Sequence, residues 1–403
     1  MTAYEAIMGQ QRWLYSPQRA LQAVSNMMPV RIFSILFPLW EVEIIGLQRR
    51  SREYEMIEKF LERGIAEGEL CSIADLSAFF GLRKRQIQKG ISFLRAIGHV
   101  QGDDGDLTLT KQGWRSLKDG VVYRELETRR KLYFEAFQSR PLLKAHYGLR
   151  ILSEAEALTS PERNYKRLSS LNPWRTGALS ALVKRSNRDD WNLPGEIHEV
   201  KEEAVRRAFL PMYIVQVNEL ANSKPTSPRY VVLNRLRDLH DPFFEEIVNT
   251  VEAIQDVFLG ETEAGVGKLM ENRLEDYGLE SPEFHLTELA PDAWRAILPS
   301  TIFSSNSTSL SVSDIGQFEL VRGYCLQIWC DDPAIRREAA LDKAVAAIAH
   351  WQQPPTLQAV ERLLETITAQ LQTAPLDIEQ LLAHALEREA ASVVAKLEEF
   401  EKD

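Results

Sequence analysis

Cysteine is scarce: Cys71, Cys325 and Cys330 are the only three in 403 residues. So few and so unevenly spaced, they cannot build the disulfide framework of a small secreted domain, and a reducing cytoplasm is the expected location. Long apolar runs are missing too. The longest, VRIFSILFPLWEVEIIGL from Val30 to Leu47, is interrupted by Pro38, Glu41 and Glu43, which leaves less than the ~20 apolar residues of a bilayer-spanning helix. The opening residues lack a cationic start, an apolar stretch and a small-residue cleavage site, so neither export nor a membrane partner is expected. Positive charge is also in deficit, with 48 Lys and Arg against 58 Asp and Glu, a net charge of −10. Such a surface does not attract nucleic acid as a whole, so any such contact must come from a local basic patch. No internal repeat and no low-complexity tract breaks the chain.

What is present suits a globular protein of two or three domains, with 44% hydrophobic residues for its cores. SPQRALQAVSNMM, Ser16 to Met28, predicts a short helix with a Ser cap and Pro in the first turn. FPLWEVEIIGLQ, Phe37 to Gln48, predicts a strand with Leu39, Glu41 and Glu43 facing outward. Helical spacing returns between Arg52 and Glu67, and again from Ser72, a good N-cap with Asp75 three positions on, to Gly81. A third helix follows in LRKRQIQKGISFLRAIGHV, then a Gly-Asp turn, a strand at Leu107 and Leu109, and a new helix start at Thr110. Phe60, Leu76, Phe79, Leu82, Ile87, Ile91 and Leu94 would fill a small core among these three helices.

Farther on, Thr159 to Pro194 is polar and irregular and predicts a linker or a loose surface region. FLPMYIVQVNEL (Phe209 to Leu220) and RYVVLNRLRDL (Arg229 to Leu239) predict two strands paired as a hairpin across ANSKPTSP. A helix is expected over Pro242 to Phe258, a buried strand at Tyr324 to Cys330, and three helices over Ala334–Trp351, Thr356–Leu371 and Asp377–Lys402. The last two carry apolar stripes that would meet as antiparallel neighbours and offer a surface for a protein partner or for self-association.

The stretch from Phe79 to Arg95 holds Arg83, Lys84, Arg85, Lys89 and Arg95 with no acid among them. Together with the order helix, short helix, helix, strand, turn, strand, it makes residues about 52–117 resemble the winged helix-turn-helix superfamily in its MarR or ArsR style. LTLTKQGWRSL resembles the wing exit of those proteins. The resemblance covers roughly one sixth of the chain and implies double-stranded DNA as partner, with the third helix in the major groove. Carried over residue by residue, it implies DNA contacts from Arg83, Lys84, Arg85, Gln86 and Lys89: the cations on phosphates or guanine edges, Gln86 on an adenine edge. The wing tip Gly102-Asp103-Asp104-Gly105 departs from the pattern by being acidic, and Gly90 sits inside the recognition helix, where it costs about 1 kcal/mol relative to Ala. A second basic run, Arg124, Arg129, Arg130 and Lys131, alternates with Glu125 and Glu127 and predicts a helix with internal ion pairs.

Catalytic signals are sparse. EIHEVKEE places Glu199 and Lys201 at the E-x-K spacing of metal-dependent nucleases, with Asp189 and Asp190 upstream, but a charged surface segment accounts for it better. Gly265-Val-Gly267-Lys268 lacks the earlier Gly and the Ser or Thr of a phosphate loop and predicts a turn before a helix. Cys325 and Cys330 fit two core thiols, and none of the seven histidines stands in H-x-K. The expectation is therefore an α+β protein with four parts. Residues 1–50 hold a helix and a strand, 51–120 the winged helix-turn-helix, 121–330 a mixed domain with a polar linker near 159–195, and 331–403 a helical region. It would be a non-enzymatic DNA-binding subunit of a larger prokaryotic assembly, of the anti-phage or mobile-element-linked kind, needing no cofactor or metal. A dimeric transcriptional repressor and a nuclease using Glu199 and Lys201 are the alternatives.

Overall fold

The computed structural model describes residues 27–398 except 171, 219–228, 235–239, 261–264, 280–282, 305–309 and 352–354, and scattered residues between 17 and 24. The helix expected at Ser16–Met28 therefore lies largely outside the described residues, as does the ANSKPTSP loop.

The chain mixes helices and strands. In order, β1 (Met28–Glu53) leads to α1 (Met56–Ala66), α2 (Ile73–Phe80) and α3 (Lys84–Ala96). A hairpin of β2 (Val100–Gln101) and β3 (Thr108–Leu109) follows, then α4 (Lys111–Asp119) and β4 (Val121–Glu135). Next come β5 (Leu152–Ser153), α5 (Glu154–Thr159), β6 (Lys166–Arg167), α6 (Gly177–Val183), β7 (Ile197–Asn218) and β8 (Arg229–Leu233). The remainder holds α7 (Pro242–Thr250), α8 (Glu252–Leu259), α9 (Val266–Glu275), β9 (His285–Ala290), β10 (Ala293–Leu298), β11 (Phe318–Val321) and β12 (Tyr324–Cys330). Four helices close it: α10 (Pro333–Ala349), α11 (Leu357–Leu371), α12 (Ile378–Glu387) and α13 (Ala391–Glu398).

These elements form two compact units built from interleaved segments: Met1–Phe37, Leu149–Ser169 and Phe209–Asp403 in one, Pro38–Gly148 and Ser170–Ala208 in the other. β1 and β7 each contribute residues to both. In the first unit β12 pairs in parallel with β10 and antiparallel with β11, and β7 and β8 form the expected antiparallel pair from Tyr213↔Leu233 to Val217↔Arg229. β12 is buried along its whole length, and Cys325 and Cys330 are buried free thiols. Burial pushes both thiols up, away from the reactive thiolate.

The C-terminal helices belong to that core. Val360, Leu364, Ile367 and Leu371 of α11, Leu381 and Ala385 of α12, and Val393 and Leu397 of α13 join Leu326 and Ile328 of β12 in one cluster. Most of each stripe expected to serve a partner is thus covered within the chain, while Leu357 and Leu386 stay exposed. The last helix is also not continuous. Glu389 adopts φ 53° and splits it into α12 and α13. The helix expected at Pro242–Phe258 breaks likewise at Val251, whose ψ of 100° is extended.

In the second unit β1 and β4 form a long antiparallel ribbon from Leu39↔Glu135 to Glu53↔Val121. The basic run Arg124–Lys131 is therefore strand, not helix. Its ion pairs cross between strands: Lys131 Nζ to Glu41 at 2.9 Å and Arg129 to Glu203 at 3.2 Å. Leu39, expected outside, is buried, whereas Glu41 and Glu43 reach Arg206. The supposed linker is packed as well. Leu179, Leu182 and Leu193 join Val42, Ile44, Leu132 and Phe134 in a core, with Trp174 edge-on to Phe134 at 4.9 Å.

Candidate nucleic-acid interface

Between β1 and β4 stands the helical module. Ser72 Oγ accepts the Asp75 N–H at 3.0 Å to start α2, and Gly81 ends it at φ 65°. Thr110 caps α4 in the same way through Gly113 N–H. Leu61, Ile65, Ile73, Leu76, Ile87, Ile91, Leu94 and Ile97 form the core, closed by Val100, Leu107 and Leu109 of the hairpin.

Two expected core residues are not there. Phe60 is 47% and Phe79 69% exposed, and Met56 beside them is 77% exposed. The phase of α1 explains the exposure of Met56 and Phe60. The helix turns Glu58 and Glu62 inward because both carboxylates have partners: Arg52 grips Glu58 with two nitrogens at 2.6 and 2.8 Å. Glu62 takes the Tyr54 hydroxyl on one oxygen and His99 Nδ1, at 2.5 Å, on the other. His99 Nε2 reaches the Tyr123 carbonyl at 2.5 Å and Ser116 Oγ at 3.3 Å. Serine, imidazole and carboxylate thus stand in the order of a hydrolytic triad. All three are sealed from solvent, however, and Ser116 Oγ accepts the Tyr123 N–H at 3.1 Å. The arrangement is a clamp that ties α1, α4 and β4 together. The sequence carried one signal of it, two glutamates at i, i+4 on an otherwise apolar helix face.

Helix α3 buries Ile87, Ile91 and Leu94 and leaves Arg83, Lys84, Arg85, Gln86 and Lys89 exposed. Arg85 and Lys89, one turn apart, lie opposite the buried stripe. Arg83, Lys84, Arg85 and Lys89 have no ion-pair partner among the described residues. Arg95 differs: it binds Asp104 Oδ1 at 2.9 Å and the Gly102 carbonyl at 2.7 Å. That explains an acid at the hairpin tip, since Asp104 anchors the tip to α3 while its carbonyl accepts the Ile73 N–H. Gln86 is partly engaged, its Oε1 accepting the Arg83 N–H at 3.1 Å, which leaves its amide hydrogens for other contacts. Gly90 is there because α1 and α3 approach closely: a Cβ would fall 2.5 Å from Leu61 Cδ1.

The other candidates do not assemble. Glu199 and Lys201 are exposed on β7, and Asp189 is turned to the Gly195 N–H at 3.2 Å. Among the described residues no three His, Cys, Asp or Glu side chains gather as a metal-binding group, and no helix is long and apolar enough to cross a membrane. Gly265 at φ 86° makes a turn before α9, as expected.

No family model matches this chain, and no curated protein or solved structure matches it. What the interface does must be argued from its chemistry.

Proposed function

We propose that residues about 52–117 are a winged helix-turn-helix module that holds double-stranded DNA, α3 entering the major groove. Arg83, Lys84, Arg85 and Lys89 contact phosphates and guanine edges, and the Gln86 amide faces an adenine edge. One observation carries this reading. Four exposed cations without acidic partners crowd the first two turns of α3. A cation in the first turn of a helix opposes the helix dipole and costs about 0.3–1 kcal/mol, so Arg83, Lys84 and Arg85 weaken the helix they start. Exposed cations without an ion-pair partner among the described residues are suited to an external polyanion. The chain would act as a non-enzymatic, cytoplasmic DNA-binding subunit of a larger prokaryotic assembly, in keeping with its length beyond the module.

A second reading has its own observation. Met56, Phe60 and Phe79 make an exposed apolar face on α1 and α2, which suits protein contact. The two readings separate in a gel-shift titration of the full chain against duplex DNA. Replacing Arg83, Lys84, Arg85 and Lys89 by Ala weakens binding under the DNA reading. If binding is unchanged, α3 is not the DNA contact.

A further inference from the structure

In the unit that holds β10 and β12, Arg295 sits on a central strand with only 7% of its surface exposed. The register sets Gln327 on one side of it and Thr287 on the other, neither of them charged. Its Nε–H donates to Gln327 Oε1 at 2.8 Å, and its guanidinium carbon lies 3.9 Å from the centre of the Trp329 ring. No carboxylate pairs with it among the described residues. Its terminal nitrogens have no hydrogen-bond partner there either, yet neither is wholly sealed from solvent.

A second guanidinium stands near the same ring, Arg336 at 5.1 Å from its centre, held by the Leu371 and Cys330 carbonyls at 3.1 and 2.8 Å. Burial and the proximity of Arg336 push the Arg295 guanidinium down to about 10. A guanidinium is almost never buried without an anion, because losing its hydration costs several kcal/mol. Stacking on Trp329 offsets part of that. An oxyanion bridging the two terminal nitrogens would supply what is missing, and the planar fork matches phosphate oxygens bidentately.

We propose that Arg295, oriented by Gln327 and stacked on Trp329, is the anchor of a site for a phosphate group, with Arg336 adding positive potential. The site lies in the other unit from the basic helix, so it does not rest on the DNA reading. The phosphate comes either as the free ion or as an ester such as a nucleotide.

Thermal unfolding of the full chain in sodium phosphate, against sodium chloride at equal ionic strength, tests the site. Phosphate at a hundred times the dissociation constant is expected to raise the midpoint by several degrees. Arg295→Met is expected to remove that shift, with Arg295→Lys retaining a weaker one. A parallel titration with adenosine monophosphate distinguishes the sources: a larger shift than inorganic phosphate assigns the ester, an equal or smaller one the free ion. No phosphate-specific shift in the wild-type chain overturns the proposal, and so does an equal shift in wild type and Arg295→Met. Should Arg295→Met fail to fold, an Arg295→Lys variant with unweakened phosphate binding contradicts it instead.

Discussion

The buried His99–Glu62 pair shows how one polar contact can set the phase of a helix. With both oxygens of Glu62 engaged, α1 is turned so that Phe60 faces water. Replacing His99 by Leu leaves one buried oxygen of Glu62 without a hydrogen-bond partner, a loss of about 1–3 kcal/mol. The double variant His99→Leu, Glu62→Leu is expected to recover part of it. Urea unfolding of the three chains measures the difference. A His99→Leu chain as stable as wild type would mean that the clamp contributes nothing.

Lys343 offers a test against pH. Burial pushes its amine down to about 8, against the opposing pull of Asp314 and Asp342, while Nζ donates to the Ser313 carbonyl at 2.9 Å. The folded chain therefore binds this proton less tightly than the unfolded chain, whose lysine titrates near 10.4. The penalty is fully present below about pH 8 and disappears as pH rises toward the unfolded value. Lys343→Met should stabilise the protein by about 1–3 kcal/mol at pH 7, less the lost hydrogen bond. That gain should fade by about pH 10.4 in urea titrations at several pH values. A constant gain across that range would contradict burial of the charge.

At the scale of elements, the local signals that survived were those with their own chemistry. Ser72, Gly81 and Thr110 cap helices where their side chains or backbone freedom require it, and the alternation of Tyr213–Val217 and Arg229–Leu233 pairs them as strands. The five residues singled out on α3 all lie on its exposed surface, because helical spacing alone decides which side of Ile87 and Ile91 they occupy. Signals that needed distant partners could not be read. Arg124–Lys131 satisfies both an i, i+4 pattern and a strand, and the choice is made by β1, which sets Glu43 opposite Lys131 and Glu41 diagonally within reach of it. Phe60 was apolar at helical spacing, yet Glu58 and Glu62 took the inner face of α1, Glu62 through His99, 37 residues away. Glu389 and Val251 break helices whose apolar periodicity runs on past them.

The C-terminal elements give a further test. Removing everything after Ala374 deletes Leu381, Ala385, Val393 and Leu397 from a core shared with β12. Each buried Leu or Val contributes about 1.5–3 kcal/mol, so the loss is comparable to the 5–15 kcal/mol that holds a whole domain. The truncated chain is expected to aggregate or to lose its cooperative unfolding transition in calorimetry. A soluble, cooperatively folding truncation would show that α12 and α13 are peripheral and would restore them as a surface for a partner.

For the whole molecule, the division into two units was hidden because neither is a contiguous segment. β1 and β7 each serve both, and the shift from charged to apolar residues at Phe209 reads as the start of a strand rather than as a boundary inside one. Charge is what remains legible at this scale. A chain of net charge −10 carries, on one helix, four exposed cations without an ion-pair partner among the described residues, so the DNA contact proposed for it would be local, short-ranged and steeply dependent on salt.

That dependence is the most direct test of the central claim. The affinity of the full chain for a duplex is measured over a range of salt concentrations, with and without Arg83, Lys84, Arg85 and Lys89 replaced by Ala. Each phosphate contact contributes about 0.9 to the slope of log affinity against log salt. The account predicts weaker binding and a slope shallower by about two to four for the substituted chain, fewer than four phosphate contacts being lost where a cation reads a base. Equal affinities and equal slopes would show that α3 does not hold DNA.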